Sequence, residues 1–164
     1  MEIGRLENGS YVIKGSNFDQ FYDDYHSDFS YKKNDSEIIE TISPTLIEGI
    51  ELGESDIDNP NSFWEMHASI KDFFIKTASN IPIIQSELSK GKSLEEIRQN
   101  PSLQKCVDLF FNPKNIIRVT NGDGYYRFDS DGRHRIIAAR ELGFNIPVKV
   151  IGAWIRKIRR STNE

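Results

Sequence analysis

Asp131-Gly132-Arg133-His134-Arg135 gathers two guanidinium groups and an imidazole around a glycine. That combination suits an oxyanion. Guanidinium groups pair with phosphate oxygens, a glycine lets the backbone come close, and N–H groups at a helix start point at negative charge. His134 could pass a proton near neutral pH as general base or acid. Asp131 and Asp129 offer the oxygen ligands that a divalent cation such as Mg2+ takes. Arg118 adds a further cation for the same phosphate, and Arg156, Lys157, Arg159 and Arg160, with Trp154 among them, form a basic tail suited to a nucleic-acid backbone.

These residues need elements that hold them. Tyr126 and Phe128 alternate with Arg127 and Asp129, the period of a half-buried strand. Asp129-Ser130-Asp131-Gly132 breaks that pattern and offers helix caps. Ile136, Ala139 and Leu142 recur at helical spacing, Gly143 stands where a left-handed cap is wanted, and Ile146, Val148 and Val150 give a second strand. Upstream, 116–120 reads as a strand and Asn121-Gly122-Asp123-Gly124 as a hairpin turn. Residues 153–160 are expected to form a short final helix anchored by Trp154, Ile155 and Ile158.

The front of the chain reads as mainly helical. Tyr11–Lys14 is a short strand, after which Phe18, Phe21, Tyr22, Tyr25 and Phe29 fall at helical spacing as an amphipathic, core-facing stripe. Lys32-Lys33-Asn34-Asp35 reads as a loop, and Ile38, Ile39, Ile42, Leu46, Ile47 and Ile50 suggest one or two short helices interrupted at Pro44. Glu51, Glu54, Asp56 and Asp58 lie in an acidic, turn-rich connector without the glycine and terminal glutamate of a calcium loop. A helix capped by Asn61 or Ser62 carries Phe63, Met66, Ile70, Phe73, Phe74 and Thr77 inward, with Trp64 and His67 on an adjoining face. Pro82 starts a helix from Ile83 to Leu88, Ser93–Glu96 is a capping box, and a helix opened by Asn100-Pro101 carries Cys106 to Phe111. His26 and His67 read as packing or surface residues, and Cys106 as a buried structural thiol.

Length and composition bound the answer further. A chain of 164 residues suffices for one cored domain, and 28% charged residues are ordinary for a soluble protein. No apolar run approaches a membrane span, and no leader pattern opens the chain. One cysteine excludes an internal disulfide and a cysteine-rich zinc site. Charge is unevenly placed: residues 1–110 hold 10 Lys+Arg against 20 Asp+Glu (−10), and residues 111–164 hold 11 against 5 (+6), within the net −4. Only the C-terminal third is therefore expected to meet an anionic ligand.

Asp131–Arg135, followed by Ile136-Ile137-Ala138-Ala139-Arg140-Glu141-Leu142-Gly143 and Ile146-Pro147-Val148, resembles the ParB/sulfiredoxin superfamily over residues 112–152. Gly132 and Arg135 match the turn of ParB proteins, sulfiredoxins and the free-serine kinases of that fold. His134 matches the last two, and Asp131 the kinases. Arg133 stands where sulfiredoxins carry their catalytic cysteine, which argues against sulfinic-acid reduction. ParB's acidic residue there is also replaced and no helix-turn-helix segment follows, which argues against chromosome segregation. The short Asp-Gly-Arg-His-Arg form also resembles ParB-like nuclease domains at the C-termini of bacterial polymorphic toxins.

The helical pattern of the front and the resemblance of the C-terminal third together give the expectation of an α+β fold, with a helical N-terminal part (1–111) packed on a small mixed sheet of ParB/sulfiredoxin type (112–164), in one domain. The resemblance implies a toxin-like nuclease with His134, Asp131 and Arg135 as catalytic residues and Gly132, Arg133, Arg135 and Arg118 on the phosphate. Asp129 and Asp131 would hold the metal. Such a domain acts in the cytoplasm after delivery within a larger secreted protein. Two other readings fit the same residues. One is a nucleotide-binding phosphotransferase or NTPase taking ATP or CTP. The other is a non-catalytic module whose acidic N-terminal part docks a partner such as an immunity protein.

Overall fold

The computed structural model describes residues 2–53, 63 and 68–157. In chain order the elements are β1 (Ile3–Arg5), β2 (Tyr11–Ile13), α1 (Phe18–Tyr25), β3 (Phe29–Ile42), a 3-10 turn (Pro44–Leu46), β4 (Ile47–Glu48) and β5 (Ile50–Leu52). Then come α2 (Ala68–Ala78), α3 (Ile81–Ser89), α4 (Leu94–Arg98), α5 (Gln104–Cys106) running into a π-helical turn (Val107–Phe111), β6 (Ile117–Asn121), β7 (Tyr126–Phe128), α6 (Arg133–Leu142) and β8 (Ile146–Arg156). The architecture is α+β, with two sheets: an antiparallel trio β1-β2-β5 and a mixed five-stranded sheet ordered β3-β8-β6-β7-β4.

The predicted hairpin, helix and strand of the C-terminal third are all present. β6 turns back antiparallel on β7, α6 crosses over, and β8 returns parallel to β6. Gly143 closes α6 at φ +73°, the left-handed cap that the sequence pattern asks for. Ile136, Ile137, Ala138 and Ala139 of α6 are buried and share one core with Ile117, Val119, Ile146 and Val148 of the sheet, while α2 packs on α6. Each fully buried isoleucine in that core is worth about 1.5–3 kcal/mol relative to exposure. A second cluster, Leu6, Val12, Phe21 and Tyr125, joins α1 to the smaller sheet and to the start of β7.

The N-terminal part departs from a helical reading. Residues 29–42 form one long edge strand rather than a loop followed by helix. The polar run at 32–35 lies in or beside the bulge between Lys33 and Ile38, and the strand pairs with β8 on both sides of it. Edge position explains the composition: Lys32, Lys33, Asp35, Glu37, Ile38 and Ile39 face outward, and charged edges resist pairing with other chains. β-branched residues then favour extended backbone at 38–42 and at 47–50, where helices are expected. Gly49 separates β4 from β5 at φ +83°, and this left-handed step passes the chain from one sheet to the other. Phe29 belongs to β3, so the α1 stripe ends at Tyr25.

Three smaller differences bear on the site. Asp129, Ser130 and Asp131 are not the N-cap of α6; that position is Gly132, which has no side chain to cap with. Residues 153–156 continue β8 instead of opening a final helix, with Trp154 opposite Tyr31. Phe73 is exposed on α2 and carries the Lys105 ammonium over its ring. The capping box at Ser93 and Glu96 and the helix begun at Pro82 are present. Glu54, Asp56, Asp58, Asn61, Ser62, Trp64, Met66, His67, Ile158, Arg159 and Arg160 lie outside the described residues.

Candidate functional site

β7 ends at Phe128, and five residues later α6 begins, so the chain reverses around Gly132 at φ +107°. A Cβ there would come within 3.0 Å of an Arg135 Nη atom and of Ile117, which adds crowding to the backbone requirement for glycine. Arg133 opens the helix. It donates through Nη1 to the Glu51 carbonyl (2.9 Å) and stands 5.5 Å from the Phe63 ring. The other residues predicted for the turn take quite different positions.

Arg135 is a clamp. It is 8% exposed and donates through Nη1 to the Leu109 carbonyl (2.6 Å) and to the Asn115 carbonyl, tying α6 to the segment before β6. Burial lowers its pKa, and the Asp131 carboxylate 3.7 Å away opposes that shift. His134 is stacked against Phe63 (4.5 Å between centroids) and Phe74 (5.4 Å), and its Nε2 lies 2.9 Å from the Phe63 carbonyl. A carbonyl only accepts, so in this bond Nε2 carries the hydrogen and donates it.

The two aspartates face different clefts. Both are exposed; Asp129 lines one cleft and Asp131 lines two others. Among the described residues, no group of three or more His, Cys, Asp or Glu is placed to hold a metal ion. Arg118 does reach the neighbourhood, lining a cleft with Asp131 and Arg135 while pairing with Glu37 (3.1 Å). The described part of the basic tail is paired elsewhere: Arg156 sits 3.8 Å from buried Asp24, and Lys157 3.5 Å from Asp28. These two cations thus meet carboxylates at and just after α1.

Three clefts meet at the turn, and Ser130 lines all of them. The largest, about 570 Å³, runs between Tyr25, Glu51, Arg127, Phe128, Asp129, Arg133 and Trp154. The second, about 270 Å³, lies over the start of α6 and is lined by Asp131, Gly132, Arg133, His134, Arg135 and Phe74. The third, about 230 Å³, holds Arg118, Asp131 and Arg135. Arg133 thus spans the first two.

Arg127 escapes the sequence reading. The strand pattern marks it only as the polar partner of two aromatics, yet it is 8% exposed at the wall of the largest cleft. Its guanidinium lies 4.4 Å from the Trp154 ring and 5.5 Å from Phe21, and its Nε has no hydrogen-bond partner. An arginine beside a tryptophan in the C-terminal third was a usable signal, but nothing local places residues 127 and 154 together. The register β7-β6-β8 does that.

Burial pushes the Cys106 thiol up to about 12, consistent with a structural role in the core. Comparisons with protein-family models, with curated proteins and with solved structures found no match. The geometry of the turn and its clefts therefore carries the functional reading.

Proposed function

We propose that this chain is a nuclease-type domain of the toxin kind, with a ParB/sulfiredoxin-like core, that grips a nucleic-acid phosphodiester at the start of α6. The observation that carries the proposal is the joining of three clefts through Ser130 around a glycine-opened helix start, with Arg133 shared by two of them. An extended, repeating anion fits a branched track better than a closed pocket would. Helix-start N–H groups and the Arg133 guanidinium supply the positive end, behind an N-cap, Gly132, that has no capping side chain of its own.

Water attacks phosphorus in this scheme, His134 takes its proton, and the bond to the leaving oxygen breaks, that oxygen taking a proton from solvent. Arg133 offsets the charge that builds on the non-bridging oxygens. Arg135 holds the turn in place through the Leu109 and Asn115 carbonyls and is a positioning residue. A divalent ion such as Mg2+ would take Asp129 or Asp131 as a separate ligand, since the two line different clefts. Supercoiled plasmid and total RNA, each incubated with Mg2+ or with EDTA, test the proposal. Cleavage lost in His134→Ala and in Arg133→Ala is the expected result. Intact nucleic acid across a broad range of protein concentration overturns it.

A further inference from the structure

Of Arg127, Arg135 and Arg140, Arg127 is the most sparsely hydrogen-bonded. Arg135 gives two hydrogen bonds from one nitrogen to main-chain carbonyls, and Arg140 gives three to the carbonyls of Lys14, Pro44 and Ile47 beside the Glu48 carboxylate, leaving only its Nε without a partner. Arg127 gives one long bond, Nη2 to the Tyr125 hydroxyl at 3.4 Å, and that hydroxyl in turn donates to Asp24 at 2.7 Å. Its Nε is unpartnered, and the Asp24 carboxylate joins it only through the Tyr125 hydroxyl. A nine-tenths buried guanidinium facing a cleft and stacked on tryptophan is an incomplete ion pair.

The cleft specifies the missing partner. Its volume of about 570 Å³ is that of a small-molecule pocket. Its walls are largely aromatic: Phe21, Phe128, Trp154 and Tyr25, the last 38% exposed at the end of α1. A second cation, Arg133, stands on the rim, and the carboxylates Glu51 and Asp129 stand beside it. Flat rings with two guanidiniums suit a ligand that is planar at one end and anionic at the other. The two carboxylates can accept from hydroxyl groups in between. We infer that the cleft walled by Arg127 seats one nucleotide unit, its base on Tyr25 and its phosphate drawn between Arg127 and Arg133. This deepens the phosphodiester reading, on which it rests, by naming the subsite that holds the nucleotide next to the gripped phosphate.

The four nucleoside monophosphates AMP, CMP, GMP and UMP, with adenosine and inorganic phosphate as partial ligands, test this on the full chain. Tryptophan emission and the unfolding temperature are followed together, because an anion reaching Arg127 alters the ring of Trp154 stacked on it. At least one monophosphate is expected to saturate the signal. Adenosine and phosphate alone should bind at least about tenfold more weakly than the preferred monophosphate. Tyr25→Ser should weaken the monophosphate by about tenfold and leave phosphate unchanged, while Arg127→Lys should weaken both. If Arg127→Lys unfolds, Tyr25→Ser and Arg133→Gln decide the matter. No signal from any monophosphate up to about 10 mM, or a signal indifferent to Tyr25→Ser, overturns the inference. Cleavage of plasmid or RNA without monophosphate binding overturns this inference alone. Monophosphate binding without cleavage supports the subsite and overturns the nuclease.

Discussion

Arg127 and Arg135 are equally buried, at 8% exposure, on either side of the same turn. Arg135 faces two main-chain carbonyls and an aspartate; Arg127 faces two aromatic rings and a distant hydroxyl. The contrast separates two uses of a hidden guanidinium. One is a tie that the fold cannot lose, and the other is a cation held ready beside an open cleft. Arg140 marks the far end of the scale, with three carbonyls and the fully buried carboxylate of Glu48 nearby.

The sharpest way to break that ranking is Glu48→Ala. Glu48 accepts from the backbone N–H groups of Gly15 (2.7 Å) and Asn17 (2.9 Å), so its loss orphans two donors and the Arg140 charge at once. Destabilisation of about 3–5 kcal/mol in urea unfolding is expected. Burial raises the Glu48 pKa above the ordinary 4.5, against those two hydrogen bonds and Arg140. Its protonation-linked contribution is therefore full below 4.5 and is lost as pH rises through the raised value. The stability advantage of the wild type over Glu48→Gln should thus grow as pH falls from neutral towards 4.5. A constant or shrinking difference contradicts the burial argument.

Next in size comes the pair itself. Arg135→Met strands the Leu109 and Asn115 carbonyls and should lower stability by about 2–4 kcal/mol. Arg127→Met replaces an unsaturated buried charge by an apolar chain and should cost under about 1.5 kcal/mol. Equal losses in the two variants would erase the distinction between tie and waiting cation. An effect of the same order as that of Arg127→Met belongs to the glycine between them. Gly132→Ala imposes a side chain at φ +107° against Ile117 and should cost about 1–2 kcal/mol by thermal unfolding.

Legibility in the sequence followed the range of the forces involved. From Ile117 to Val150 the pattern is local: alternation in the strands, 3.6-residue spacing in α6, glycines at the turns, each fixed by near neighbours. The stretch from Phe29 to Leu52 misled because its strands are specified by distant partners. Lys32 and Ile39 look like loop and helix until β8 supplies a ladder more than a hundred residues away. In the site, the residue types of the turn were legible, but their saturation was not. Arg135 reads as a phosphate ligand until the Leu109 and Asn115 carbonyls fold over it, and Arg127 reads as a strand's polar face until β8 brings Trp154 across.

Helix α6 is fastened at both ends, by Arg135 near its start and by Arg140, which reaches the 3-10 turn and the end of β2, near its finish. A group seized at Gly132 would therefore meet a helix start that those two arginines already hold in position. An anion drawn to that fixed end would come under the field of the cations around it, so added salt should slow its arrival.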